Sequence, residues 1–305
     1  MASKLGCFRP VLFGCLGIVV ILLIGLGIAA LFAWRGVDKA RVEDRDLLAA
    51  TEVTAVAGDA ADDTPAAPPG RVILDLAQGE FTIHRGTAGE GVRVKARFNQ
   101  EAYELTDDLE ILPDSTWVYR VRYRRTMPAL QAILQSLFGG GGESRVDVYL
   151  PPDVPIALEV QVQRGGGEVD LGGMWLTDGQ IDVSKGGFSL QISEPLVEPL
   201  DRLVITGKMG GLDVSGVGNA SPRTFDVNWR MGGANIDLGG GWLRDCDVSL
   251  AVNMGGMSVT VPRDVILEDA ASAESQLQAP PRETSAPVLR LRKTFKRGEI
   301  DVIRR

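Results

Sequence analysis

The chain has 305 residues, a net charge of −8 at neutral pH, 37 glycines and 6% aromatic residues. So much glycine and so few rings argue against a thick globular core and for thin stacked layers. The acidic balance argues against a nucleic-acid-binding chain, and a single histidine excludes the common zinc sets.

Residues 1–9 form a short tail. Residues 10–34, from Pro10 to Trp34, hold no charge and are rich in Leu, Ile, Val and Gly. A spanning helix needs about 20 apolar residues, so this stretch predicts one transmembrane α-helix, with Trp34 as its interfacial aromatic. A cleaved signal peptide would have a shorter apolar core and a small-x-small cleavage site, whereas this stretch ends in Trp34-Arg35. Counting Lys4 and Arg9 against Arg35, Lys39, Arg41 and Arg45 favours a cytoplasmic C-terminus. The shortness of the tail, and the ease with which long domains translocate, weigh the other way. The expectation is a membrane protein with a single span and its main domain extracytoplasmic.

Residues 35–70 open with helix formers and mixed charges and read as a short juxtamembrane helix to about Glu52. A linker rich in Ala, Asp, Thr and Pro follows, with Pro65 and Pro68-Pro69 favouring an extended spacer.

From Arg71 to Arg305 the sequence is governed by a repeat. Glycine pairs stand at Gly165-Gly166, Gly186-Gly187, Gly210-Gly211, Gly232-Gly233 and Gly255-Gly256, spaced 21 to 24 residues apart. Behind each pair apolar and polar residues alternate. Val169, Leu190, Val214, Ile236 and Val259 share one apolar position, and Glu168, Ser189, Asp213, Asn235 and Ser258 share a polar one. Period-2 alternation marks half-buried strands, and recurrence at this period marks stacked coils that bury each other's faces. Segments such as Ile181-Asp182-Val183 supply a second short strand, so each coil reads as two or three strands joined by tight turns. The predicted fold is all-β: a single parallel β-solenoid with coils of about 22 residues over 71–305. Gly79-Glu80-Phe81 lies 88 residues before Gly167-Glu168-Val169 and reads as the same motif four periods upstream. The strings Asp170-Leu171-Gly172-Gly173-Met174-Trp175-Leu176 and Asp237-Leu238-Gly239-Gly240-Gly241-Trp242-Leu243 nearly coincide.

One insertion interrupts the repeat near 127–142. Arg120, Arg122 and Arg124 alternate along a strand. Pro128 then opens an apolar segment closed by Gly139 to Gly142, the punctuation of a helix. Leu130, Ile133, Leu134, Leu137 and Phe138 fall on one face of it. The plain reading is a helix that buttresses an early coil beside solvated arginines. The sharper one makes these eight side chains a contact for anionic lipid or a protein partner.

No catalytic set emerges. His84 stands alone on a strand and is expected to point outward, and Cys246 reads as a small core residue. Asp170, Asp182, Asp213, Asp226, Asp237, Asp247 and Asp301 recur between apolar neighbours and read as outer-face ladders. Glycine-rich calcium solenoids repeat every nine residues, unlike this chain. No Gly-Lys-Ser/Thr loop is present. No cofactor, no metal and no small-molecule ligand is expected.

Val146-Asp147-Val148-Tyr149-Leu150-Pro151-Pro152-Asp153-Val154-Pro155 and Gly165-Gly166-Gly167-Glu168-Val169-Asp170-Leu171 resemble the bacterial toast-rack domains of unknown function and the related adhesin-like solenoids. Met254-Gly255-Gly256-Met257-Ser258-Val259-Thr260-Val261-Pro262 is similar to the C-terminal solenoid of cell-wall-stress response proteins. The resemblance implies an envelope-associated, non-enzymatic module for interaction or scaffolding, with a protein partner or self-association. Two other readings stay open. One is a regulatory subunit of an envelope-stress sensing system that binds a membrane partner. The other is a carbohydrate-binding or carbohydrate-active β-helix that uses Trp175 and Trp242.

Overall fold

The computed structural model describes residues 23–27, 42–49, 68–126, 144–269 and 286–305. The alternating sequence gives almost nothing but strand. The elements are β1 (Val42–Leu48), β2 (Gly70–Arg85), β3 (Arg93–Asn99), β4 (Tyr103–Ile111), β5 (Trp117–Arg125), β6 (Arg145–Leu150), β7 (Ile156–Asp170), β8 (Leu176–Gln191), β9 (Arg202–Ser215), β10 (Thr224–Asp237), β11 (Cys246–Val261), β12 (Ile266–Asp269) and β13 (Val288–Arg304). They form one mostly parallel sheet in the order β1-β3-β6-β2-β7-β8-β9-β10-β11-β13-β12, with β5 and then β4 added beside β2. Residues 23–27 are helical. The rest of the apolar stretch 10–34 lies outside the described residues, and among those described no helix is long and apolar enough to cross a membrane.

Each repeat is a single long strand with a bend, not two or three strands joined by turns. The repeats β7 to β11 are 14 to 16 residues long and run straight through their glycine pairs. In each the first glycine makes the bend, at φ 132° for Gly165, 137° for Gly186, 138° for Gly210, 123° for Gly232 and 131° for Gly255. Side chains avoid this region, which explains why a glycine recurs there.

The bend divides every strand into two halves, and both contribute to one core. Before it, Ile181, Ile205, Val227 and Val248 are buried; after it, Val169, Leu190, Val214, Ile236 and Val259 are buried. The register stacks them directly, Leu190 on Val214 and Ile236 on Val259. Burying each such side chain stabilises the fold by about 1.5–3 kcal/mol, and only neighbouring repeats can supply that burial.

Three expectations are corrected. Gly79 is not four coils upstream of Gly167 but pairs directly with Gly165, because β2 lies against β7. The residues between them build a cap. There β5 extends the first half of β2 and β6 the second, with β4 antiparallel to β5 and β3 antiparallel to β6. Second, the juxtamembrane helix expected from Val37 to Glu52 gives way to strand β1 at Val42–Leu48, antiparallel to β3. The two strands are also complementary in charge. Arg93 grips Asp46 through two hydrogen bonds of 2.8 and 2.5 Å, and Arg97 lies 3.6 Å from Asp44. Third, residues 50–67, expected to lead from a helix into the domain, follow a strand of the sheet and lie between β1 and β2 in chain order. The expected helical insertion at 127–142 lies outside the described residues, apart from the strand ends that flank it.

The repeated Asp-Leu-Gly-Gly string has a local cause. Asp170 Oδ1 accepts a hydrogen bond from the Gly172 N–H at 3.0 Å, and Asp237 Oδ1 accepts one from the Gly239 N–H at 2.9 Å. Both are Asx turns that end a strand. Asp170 also joins two repeats by accepting from the Ser193 N–H and hydroxyl at 3.2 and 2.9 Å.

Candidate interaction surface

The arginines of β5 lie on the outward side of the strand, between inward Tyr119, Val121 and Tyr123. Acidic strands flank them. In register, Arg124 faces Glu104, Arg122 faces both Thr106 and Asp75, and Arg120 faces Asp108. Arg120 lies 3.9 Å from Asp108, and Arg124 Nη2 donates to Asp75 at 3.2 Å. Beneath them the buried Tyr119 hydroxyl donates to Asp107 at 3.0 Å. Burial pushes the phenols of Tyr119 and Tyr123 well above their ordinary range. The other five candidates, Leu130, Ile133, Leu134, Leu137 and Phe138, lie outside the described residues, so the structure joins none of them to the arginines.

The recurring aspartates are spread along the outer faces, and no two are ladder neighbours. Asp182 stands between Gln161 and Thr206, Asp213 between Ser189 and Asn235, Asp226 between Val204 and Ser249, and Asp247 between Thr224 and Arg290. Asn235 Nδ2 donates to Asp213 Oδ1 at 2.7 Å, and the Thr206 hydroxyl donates to Asp182. Each carboxylate thus has a neutral or cationic neighbour, which removes the repulsion of stacked like charges. For Asp170, burial alone would raise the pKa. The hydrogen bonds from Gly172 and Ser193 outweigh it and hold the group below the usual carboxylate range. Among the described residues, no group of three His, Cys, Asp or Glu side chains is placed to hold a metal ion.

His84 is half-buried, with its ring centroid 5.9 Å from that of Tyr149. Cys246 is buried in the first half of β11, and burial, helped by Asp247, pushes its thiol up to about 12. Trp242 is buried too, its Nε1 donating to the Leu238 carbonyl at 2.8 Å. A shallow groove runs across the outer face of the first halves, lined by Gln161, Asp182, Thr206, Lys208, Asn228 and Arg230.

Among the described residues, the last ladder position has an open edge. β12 covers β13 only from Val288 to Leu291. From Arg292 to Arg304, β13 pairs among the described residues with β11 on one side alone, and Phe295 is 56% exposed there. Alternation made β13 legible as a strand. Its lack of a neighbour was not legible, because no local pattern records what stands beyond the last repeat.

No family model matches this chain, and no curated protein matches it. It is structurally similar to a proposed cell adhesion protein from Clostridium sporogenes, with TM-score 0.42 and 9% identity over 87% of this chain and 100% of that one. A proposed adhesin from Bacteroides fragilis gives TM-score 0.38 and 11% identity over 86% of this chain and 97% of that one. Another from Parabacteroides distasonis gives 0.22 and 10%, over 86% and 98%. These neighbours are of the adhesin-like kind that the sequence motifs resemble.

Proposed function

We propose that the chain is a non-enzymatic interaction or scaffolding module of adhesin type, anchored in a bacterial cell membrane by residues 10–34 and carrying its β-solenoid on the extracytoplasmic side. The observation that supports this best is the spacing of the outward carboxylates along the ladder. General acid–base catalysis needs titratable groups that converge on one reacting atom. Here each recurring aspartate is held beside Gln, Ser, Thr, Asn or Arg, giving long regular faces suited to a macromolecular partner. Among the described residues, the second half of β13 has a strand on one side only, and an extended segment of a partner could join the sheet there.

The test is expression of the full chain in a non-adherent bacterial host. Protease added to intact cells should digest the domain, and the cells should attach to one another or to a surface more than the empty host does. Digestion only after the cells are opened overturns the extracytoplasmic placement. Attachment equal to that of the empty host overturns the adhesin reading.

A further inference from the structure

The row of residues at the bend differs chemically from the rest of the surface. Lys185 is in register with Met209, Met231 with Met254, and Met254 with Arg297. The three methionines are 44%, 39% and 41% exposed. With the residues one position earlier, the bend carries Arg164, Lys185, Lys208, Arg230, Lys296 and Arg297, all exposed. From β7 to β13 those two rows hold no aspartate or glutamate, although the chain as a whole is acidic. None of the six cations is ion-paired among the described residues, whereas Arg71, Arg202 and Arg290 on the neighbouring face each reach a carboxylate.

The described strand ends nearest to both strongly apolar stretches of the sequence lie level with this row. Asp44 pairs with Arg97, Arg97 with Arg145, Arg145 with Glu80, and Glu80 with Gly166. Val42 precedes Asp44 by two residues as Arg164 precedes Gly166, so β1 starts level with the bend. The uncharged stretch 10–34 ends eight residues before Val42, a distance of at most about 29 Å of extended chain. Likewise β5 ends at Arg125 and β6 begins at Arg145, on either side of the apolar residues 128–138. Those two ends flank the bend of β2 at Gln78-Gly79.

We infer that the bend row is a lipid-facing edge, resting on an anionic bilayer surface with its lysines and arginines on headgroup phosphates and its methionines among the upper acyl chains. Exposed apolar side chains interleaved with unpaired cations have the chemistry of an interfacial contact. The position of β1 selects a bilayer over a soluble polyanion, because the stretch 10–34 brings the membrane to this row. To that extent the inference rests on the anchored reading above. The ladder then lies along the membrane, and the turns that join one repeat to the next, such as that of Leu243, point away from it.

The test uses the full chain in phosphatidylcholine vesicles with and without phosphatidylglycerol. Cys7→Ser, Cys15→Ser and Cys246→Ala clear the background, and an environment-sensitive fluorophore is placed at Met231→Cys or, as control, at Leu243→Cys. With phosphatidylglycerol present, nitroxide-bearing lipid should quench the probe at 231 several-fold more than the probe at 243. The triple change Lys185→Glu, Lys208→Glu and Arg230→Glu should abolish the difference while the protein still floats with the vesicles. High salt should do the same without any substitution. Equal quenching at the two positions in a protein that floats with the vesicles overturns the inference and leaves the anchor intact. Release of the protein by alkaline wash overturns the anchor instead, and the two probes still decide the role of the ridge.

Discussion

The carbonyl oxygen of Gly165 lies where Gly186 would carry a side chain, 1.6 Å from the ideal β-carbon position. The relation repeats along the ladder, with Gly210 against Gly186 at 1.8 Å, Gly232 against Gly210 at 1.9 Å and Gly255 against Gly232 at 1.8 Å. The second glycines differ: a β-carbon on Gly187, Gly211, Gly233 or Gly256 would meet nothing within 4 Å. Gly186→Ala should therefore lose at least about 1–3 kcal/mol from backbone strain alone, with the collision added. Gly187→Ala should change stability far less. Urea unfolding of the two variants decides this, and equal losses would refute the separate roles.

Trp229 is fully buried, and its ring fills the space above Gly207, 2.0 Å from where a β-carbon on that glycine would stand. Its Nε1 donates to the Gly210 carbonyl at 3.1 Å, tying the indole to the bend. Trp229→Ala should cost about 3–5 kcal/mol. Gly207→Ala should displace the ring, lowering the melting temperature and moving the tryptophan emission to longer wavelength. A Gly207→Ala protein with unchanged emission and melting would contradict the packing.

Alkali should weaken the fold before it acts on anything exposed. The Cys246 thiol is pushed up to about 12 by burial and by Asp247, while in an unfolded chain it ionises at about 8.5. Between those values the unfolded state binds fewer protons than the folded one, so stability falls as pH rises. The buried phenols of Tyr119 and Tyr123, also shifted upward, act in the same direction above about pH 10. Cys246→Ala should flatten the lower part of that decline in a pH series of denaturant midpoints. A thiol reagent should label native Cys246 only at the rate of unfolding.

β1 is held to β3 by exposed charge pairs, so its attachment should respond to charge and to salt. Asp46→Arg should raise hydrogen exchange across Val42–Leu48, and the double change Asp46→Arg with Arg93→Asp should restore protection. If exchange is the same in all three proteins, the Arg93–Asp46 pair found at 2.5 Å does not hold the strand.

The glycine pairs and the alternation behind them made the repeated strands and their buried columns legible, down to Leu190 and Val214. Those features are local, and the same rule is written at each repeat. Long-range pairing was not legible. Gly79 stands a near-multiple of the repeat before Gly165 by coincidence, and only the inserted cap lets the two pair directly. Residues Val42–Leu48 have helix-forming composition, but pairing with β3 overrides that local preference. The bend row escaped notice because the cations of successive strands are 21 to 66 residues apart in sequence and meet only once the ladder stacks. Of the eight singled-out contact residues, the arginines were found as an alternating strand. The acidic partners Asp75 and Asp108 come from β2 and β4, and no spacing rule links those to β5.

Because β1 belongs to the sheet, the stem of the anchor proposed above would be non-covalently part of the domain it carries. A cut anywhere in residues 50–67 would sever the backbone without freeing the ladder, which would stay docked through the seven ladder positions of β1 on β3. Shedding would then take two steps, with proteolysis first and strand withdrawal second. The second step is reversible, weakened by salt and sensitive to pulling, so a nicked molecule could still hold under tension and let go only past a threshold force.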